Sequence, residues 1–516
     1  MKRSRNWTLA LASVGVLLVA APALADVRLP RIIGDHMVLQ QGKSTPIWGW
    51  ADPGEKVTVT LGACKATATA GEQGKWKVAL DAMQPGGPHR VTIEGKNTIT
   101  LEDVLIGEVW VASGQSNMQF SVGGSNNAQE EIAAADYPKM RLFTVTRVTA
   151  DAPKDDCEGS WGACTPETVP GFSAVAYFFG RYLHKELDLP VGLINTSWGG
   201  TPAEAWTSLD AQQDVPELAP TVARWNQQIA QYDPQAAGQR YEKAMETWKQ
   251  AAEKAKAEGK PAPRRPRAPV APAESPHRPA SLYNAMIAPL IPFAIRGAIW
   301  YQGESNSSRA EQYRTLFPAM ITNWRDKWGQ GDFPFLFVQL APYRYGGRDP
   351  RCLPETWEAQ VLALDLPNTG MAVTTDVGNI KDIHPKNKQD VGRRLALWAL
   401  ANTHGKDLVY SGPLYESMSV EGDKVRVRFE HVGGGLVAKG GPLTHFTIAG
   451  KDGQFVPAVA TIDGDSIVVQ SDQVKGPVAV RFGWTDTAEP NLFNREGLPA
   501  SPFRTDDFEL VTAGAR

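Results

Sequence analysis

The chain has 516 residues with 53 basic against 56 acidic side chains, so its charge offers no strongly basic surface for a nucleic-acid partner. At about 100–200 residues per domain, that length calls for more than one domain and leaves ample material for a core. Sixteen tryptophans either fill large cores or present flat faces to sugar rings, and composition alone does not separate the two.

Residues 1–25 read as a secretory leader. Lys2, Arg3 and Arg5 give the positive start, 9–21 form a short apolar run, and Ala23-Leu24-Ala25 is a small-x-small cleavage signature ahead of Asp26. The run is short for a membrane anchor. The expectation is an exported chain, periplasmic or extracellular, with no membrane span after cleavage. Export permits disulfides. Of the four cysteines, Cys157 and Cys164 enclose only six residues and are the expected pair, while no CxxC or zinc-ligand spacing occurs.

Residues 26–105 alternate polar and apolar in short runs such as Lys-Val-Thr-Val-Thr-Leu at 56–61, with Gly, Pro, Asn and Asp between them, and predict a β-sandwich-like accessory unit. The texture changes at 106–405. Apolar runs at 108–112, 191–196, 297–300, 333–340 and 371–375 each end in a glycine-rich or polar turn, as buried parallel strands do. Helical periodicity covers 172–187 and about 387–401. Strands alternating with helices predict an α/β sheet with right-handed crossovers. A polar helical and Pro-rich insertion at about 211–280 interrupts it. Seven prolines with Arg264, Arg265 and Arg267 in 261–279 read as an exposed linker or flap, or as a basic patch for an acidic polymer. Residues 406–516 are β-rich again.

In such sheets the reactive groups gather in turns beyond the strands' carboxyl ends. The first turn, Ser113-Gly114-Gln115-Ser116-Asn117-Met118, places Ser116 at a sharp bend. A serine hydroxyl needs a base to take its proton and amides to hold the oxyanion. The G-x-S-x-G elbow is absent, because Met118 stands where its second glycine would be. The second turn, Ser197-Trp198-Gly199-Gly200-Thr201, lets an amide approach an oxygen closely; it also reads as a plain helix entry. In the third, Trp300 to Asn306, a side-chain amide could donate to an oxyanion and Glu304 could pin a loop or orient a base; taken alone, the turn reads first as a satisfied polar turn. The fourth is Asp382-Ile383-His384-Pro385. Of eight histidines, only His384 lies between a predicted parallel strand and the next helix, and Asp382, two residues earlier, faces the same way in an extended backbone. A metal half-site is the alternative, with no third ligand evident.

These four blocks, in this order, together with Asn491-Leu492-Phe493-Asn494 and the 497–505 segment near the end, resemble the sialate O-acetylesterase family, a carbohydrate-esterase branch of the SGNH hydrolases. The resemblance implies a three-layer α/β/α hydrolase domain with β-rich flanks, acting on acetylated carbohydrate without metal or organic cofactor. It makes Ser116 the nucleophile and His384 the base. The oxyanion hole would use the Ser116 amide, Gly199 or Gly200, and Gln302 where the wider group has an asparagine. Glu304 and Asn306 would support the site. The wider group places the acid three residues before the histidine, which is Lys381 here, so Asp382 becomes the third member, with Asp376, Glu304 or a backbone carbonyl as alternatives. Acetylated sialic acids and plant sugars such as xylan or xyloglucan remain open as substrates, as does a non-catalytic sugar-binding protein. Oligomeric state is not legible.

Overall fold

The computed structural model describes residues 26–516, and the expected leader, 1–25, lies outside the described residues. The chain begins with β1 (Val38–Gln40), β2 (Thr45–Trp50), β3 (Lys56–Leu61), β4 (Cys64–Thr69), β5 (Lys75–Leu80), β6 (Gly86–Glu94) and the long β7 (Thr98–Gly114). The period-2 pattern of β3 sends Val57, Val59 and Leu61 inward. β2 pairs with β5, while β4, β3, β6 and the first half of β7 form an antiparallel ladder. β1 departs from this by pairing parallel to β7 at 105–107.

The expected boundary at 105/106 falls inside β7, so no linker separates the two units. The strand alternates between exposed and buried at its start and is buried throughout from Val104 or so onward. The sequence records this as the change from Thr-Ile-Thr-Leu-Glu to Val-Trp-Val-Ala.

The second half of β7 is the centre of a parallel sheet. Its partners are β8 (Tyr137–Thr144), β9 (Trp161–Cys164), β10 (Val191–Ser197), β11 (Gly297–Tyr301), β12 (Phe335–Val338) and β13 (Thr369–Ala372). Their order is β13-β12-β11-β7-β10-β8-β9, parallel except for β9 at the edge. All five predicted apolar runs are strands of this sheet. β8 escaped the sequence reading because its Tyr-Pro-Lys-Met-Arg opening is polar, and its first residues are exposed.

Both faces of the sheet are covered. Val109, Val111, Ala298, Trp300, Phe335 and Phe337 point to one core, which also takes Tyr313, Phe317 and Trp324 of helix Ala310–Trp328. Their strand neighbours Trp110, Ala112, Ile299, Leu336 and Val338 point to the other, against helices Ala174–Leu187 and Lys388–Trp398. The layered α/β/α arrangement expected of the SGNH type is the one observed. The two predicted helices start where short side chains cap them: Ser173 accepts from the Ala176 amide, and Asn387 from the Asp390 amide.

The expected Cys157–Cys164 disulfide is not formed; both thiols are free and buried. They serve different cores. Cys157 packs with Phe143 and Trp161 on one face of the sheet, and Cys164 with the cluster of helix Ala174–Leu187 on the other. The strand between them turns proximity in sequence into opposite orientations.

The insertion contains helices Leu209–Gln213, Ala219–Ala230 and Pro234–Ala257, followed by the Pro-rich stretch, most of which is exposed. The C-terminal region has its own core of Val425, Val427, Ile467, Val469, Phe446 and Phe482 between antiparallel sheets. Among the described residues, no helix is long and apolar enough to cross a membrane.

Candidate active site

Strand order reverses around β7, so the turns after β7, β10, β11 and β13 open at the same carboxyl edge. β7 ends at Gly114, whose φ is +138° and whose would-be Cβ lies 2.2 Å from the Tyr301 backbone oxygen. Only glycine fits there. The Gln115 amide then donates to the same oxygen at 2.9 Å, and Ser116 opens the short helix Ser116–Gln119. The Ser116 amide, at the first position of that helix, has no acceptor among the described residues, so it is available to an oxyanion. Ser113 is different: its buried hydroxyl donates to the Thr196 carbonyl at 2.9 Å and ties two strands together.

Gly199 is pressed against this turn. A Cβ on it would lie 3.2 Å from Ser116 Cβ. Its amide, an expected oxyanion donor, is already engaged, donating to Gln119 Oε1 at 2.7 Å. The Gly199 amide is therefore open to an oxyanion only when Gln119 gives up that bond. The Gly200 amide has no acceptor among the described residues.

Gln302 does not take the expected donor role. It is fully buried, and its amide group donates to Asn306 Oδ1 at 2.7 Å and to the Thr201 carbonyl at 3.3 Å, while Oε1 accepts from Tyr313 at 3.0 Å. Both amide hydrogens are engaged in holding one turn to the next. Asn306, the expected supporting residue, ties neighbouring turns together: its Oδ1 also accepts from the Ala203 amide, and its Nδ2 donates to Glu204.

His384 and Ser116 line one open cavity of about 650 Å³, together with Gln119, Phe120, Asn195 and Arg147. Among the described residues the Ser116 hydroxyl makes no hydrogen bond, to His384 or to any other group. The imidazole lies against Phe120, ring centroids 6.4 Å apart and planes 22° apart. Asp382 Oδ1 is 4.0 Å from His384 Nδ1, beyond hydrogen-bond range, and accepts instead from the His384 backbone amide at 2.9 Å. Of the alternatives, Asp376 is held bidentate by Arg394 at 2.7 Å and makes no hydrogen bond to His384 among the described residues. Burial, then the Lys388 charge, hold the His384 pKa below the usual histidine value, with Asp382 opposing them.

Asn117 joins the serine turn to the histidine loop. Its Nδ2 donates to Glu304 Oε1 at 2.6 Å and to the Ile383 carbonyl at 3.0 Å, and its Oδ1 accepts from Lys388 Nζ at 2.6 Å. Lys388 is fully buried, its ammonium also over the rings of Phe120 and Tyr301. Burial pushes Lys388 down to about 7 and Glu304 up from the usual carboxylate range. Sequence reasoning missed Asn117, Gln119 and Lys388. One signal was legible: a lysine at the first position of a helix opposes the helix dipole and so asks for another reason to be there. Among the described residues, no three His, Cys, Asp or Glu side chains converge as a metal cage.

A parallel sheet with a serine turn and a histidine loop at one carboxyl edge has the layout of an α/β hydrolase, and the relatives it matches make it a carboxylic-ester hydrolase. A family model described as "Carbohydrate esterase, sialic acid-specific acetylesterase" matches residues 274–400. Sialate O-acetylesterase of Rattus norvegicus is 33% identical, covering 92% of this chain and 94% of its own length. The Homo sapiens sialate O-acetylesterase is 31% identical, covering 92% of each. The crystal structure of a carbohydrate acetylesterase from Xanthomonas citri is 36% identical with a TM-score of 0.80, covering 93% of this chain and 100% of that one. The chain belongs to the sialate O-acetylesterase family of carbohydrate esterases.

Proposed function

We propose that the protein is an exported O-acetylesterase that deacetylates sugars through an acetyl-serine intermediate. The observation that carries this reading is the shared cavity. It sets Ser116, with an unengaged amide, and His384, with a depressed pKa, on the walls of one opening at the carboxyl edge. A neutral imidazole at neutral pH is what a general base requires. His384 takes the Ser116 proton as Oγ bonds to the acetyl carbon, and the carbonyl π pair moves onto oxygen, facing the Ser116 amide. Collapse breaks the bond to the sugar oxygen, which leaves with the proton from His384. Water repeats the sequence on the acetyl-serine and releases acetate. Asp382, at 4.0 Å, assists through charge rather than through a hydrogen bond, so the unit is a Ser–His dyad.

The relatives named for sialate O-acetyl esters make acetylated sialic acids the first substrate to try, with acetylated xylo-oligosaccharides and xyloglucan fragments as the other arm. Ser116→Ala is expected to abolish hydrolysis of p-nitrophenyl acetate and of the preferred sugar. Ser113→Ala, which removes only a strand tie, is expected to keep turnover within several-fold. The reverse pattern would move the nucleophile to Ser113. A wild-type protein inert on the aryl acetate and on every sugar ester would be a sugar-binding protein instead.

A further inference from the structure

The Gly199–Gly200 turn has a second side. Beyond it lies another cavity, of about 370 Å³, walled by Gly200, Ser305, Trp225, Gln228 and Arg348. Trp225 and Gln228 come from helix Ala219–Ala230, three positions apart and so on one face. This wall is the insertion at 211–280, which adds no strand to the sheet and no side chain to the Ser116 cavity. His277, from the Pro-rich stretch, closes the same cavity.

The lining has the chemistry of a sugar site. Trp225 is half-buried and lines the cavity, which puts an indole where the apolar C–H face of a pyranose ring could pack. Glu204, the carboxylate in the wall, is paired with Arg309 at 2.6 Å and accepts from Asn306. Arg348 donates one N–H to Ser307 Oγ at 2.9 Å and has no carboxylate partner among the described residues. Its remaining donors, in a planar fork, suit vicinal hydroxyls or a sugar carboxylate. The volume falls in the range of small-ligand pockets, about 300–1,000 Å³. The catalytic turn itself is the partition: Gly199 touches Ser116, and Gly200 faces this cavity.

We infer that the insertion builds a subsite for a second sugar unit, adjoining the acetylated one, with Trp225 as its stacking platform and Arg348 as its donor. The inference rests on the esterase reading above. It makes the protein an enzyme of acetylated oligosaccharides rather than of free acetylated monosaccharides.

Trp225→Ala and Arg348→Gln separate the possibilities, because both side chains are at least partly exposed and neither lines the Ser116 cavity. The measurement is kcat/KM on p-nitrophenyl acetate, on an O-acetylated monosaccharide, and on O-acetylated tetrasaccharides of xylose and of a sialylated glycan. Trp225→Ala is expected to lose about tenfold or more on whichever tetrasaccharide the wild type prefers, as removal of an aromatic anchor does. Arg348→Gln is expected to lose less, and both variants should match the wild type on the aryl acetate. Equal losses on all substrates, or no loss on any, would overturn the subsite. Should the wild type hydrolyse no acetyl ester, the esterase reading fails. Calorimetric titration with the two deacetylated tetrasaccharides then decides the subsite alone: binding lost in Trp225→Ala supports it, and no wild-type binding overturns it.

Discussion

The turns after β11 and β13 are built from the same kinds of side chain, amide, carboxylate and ring, and both hang over the carboxyl edge of the sheet. In the first, Gln302 and Asn306 are buried; both Gln302 amide hydrogens are engaged, by Thr201 and Asn306, and Asn306 donates to Glu204. In the second, Asp382 and His384 are half-exposed, and the imidazole faces a cavity. A polar group becomes a reagent when its hydrogen-bonding capacity is left open and a substrate can reach it. Buried and fully bonded, the same group is structure, and removing it leaves its partners unsatisfied. Asn117 belongs to both regions, since it joins Glu304 of the first turn to Ile383 of the second.

Variants in the two turns should therefore fail in different ways. The largest effect belongs to His384→Ala, expected to lower turnover by about 10⁴–10⁶-fold with the melting temperature little changed. A stable variant with near-normal turnover would remove His384 as base. Gln302→Ala should do the opposite. It strands Tyr313 and Asn306 and opens a cavity, a loss of about 2–4 kcal/mol of stability by denaturant titration, while turnover per folded molecule stays within about tenfold. Were turnover to collapse in a protein of normal stability, the Gln302 amide would be an oxyanion donor after all.

Asp382→Asn ranks below these. The asparagine carbonyl can still accept the His384 backbone amide, and only a solvent-screened charge 4.0 Å away is lost. About tenfold or less in kcat is expected, against the roughly 10⁴-fold seen where a buried aspartate is bonded to the imidazole. A loss near that larger figure would show that the loop closes on the imidazole during turnover. The smallest effect is a shift in pH. Lys388, titrating near 7, is a cation below that pH and helps to depress His384. In the wild type the acid limb of kcat/KM should therefore lie below 6.5, since the base works only when neutral. Lys388→Met removes that charge, so the limb should move upward. A limb that stays put or falls would show that the two groups do not communicate.

Much of this molecule is written locally. The runs at 108–112, 191–196, 297–300, 333–340 and 371–375 are strands because a strand buried on both faces needs no polar residue in its middle, and that is a one-dimensional signal. The same holds for the helices before Leu187 and after Asn387, and for the placing of Ser116 and His384 in turns beyond strand ends. Tertiary structure alone decided the rest. It split Cys157 and Cys164 between two cores, because which face a residue takes depends on the register of the strand between them. It buried Gln302 and left His384 at the cavity, although both sit in polar turns of similar composition. It set Lys388 beside Asn117, 271 residues away in the chain, where burial rather than any neighbour in sequence governs its charge. Residue types set what chemistry a group can perform, but whether its hydrogen bonds are engaged and whether water reaches it depend on distant segments, and so on the assembled fold.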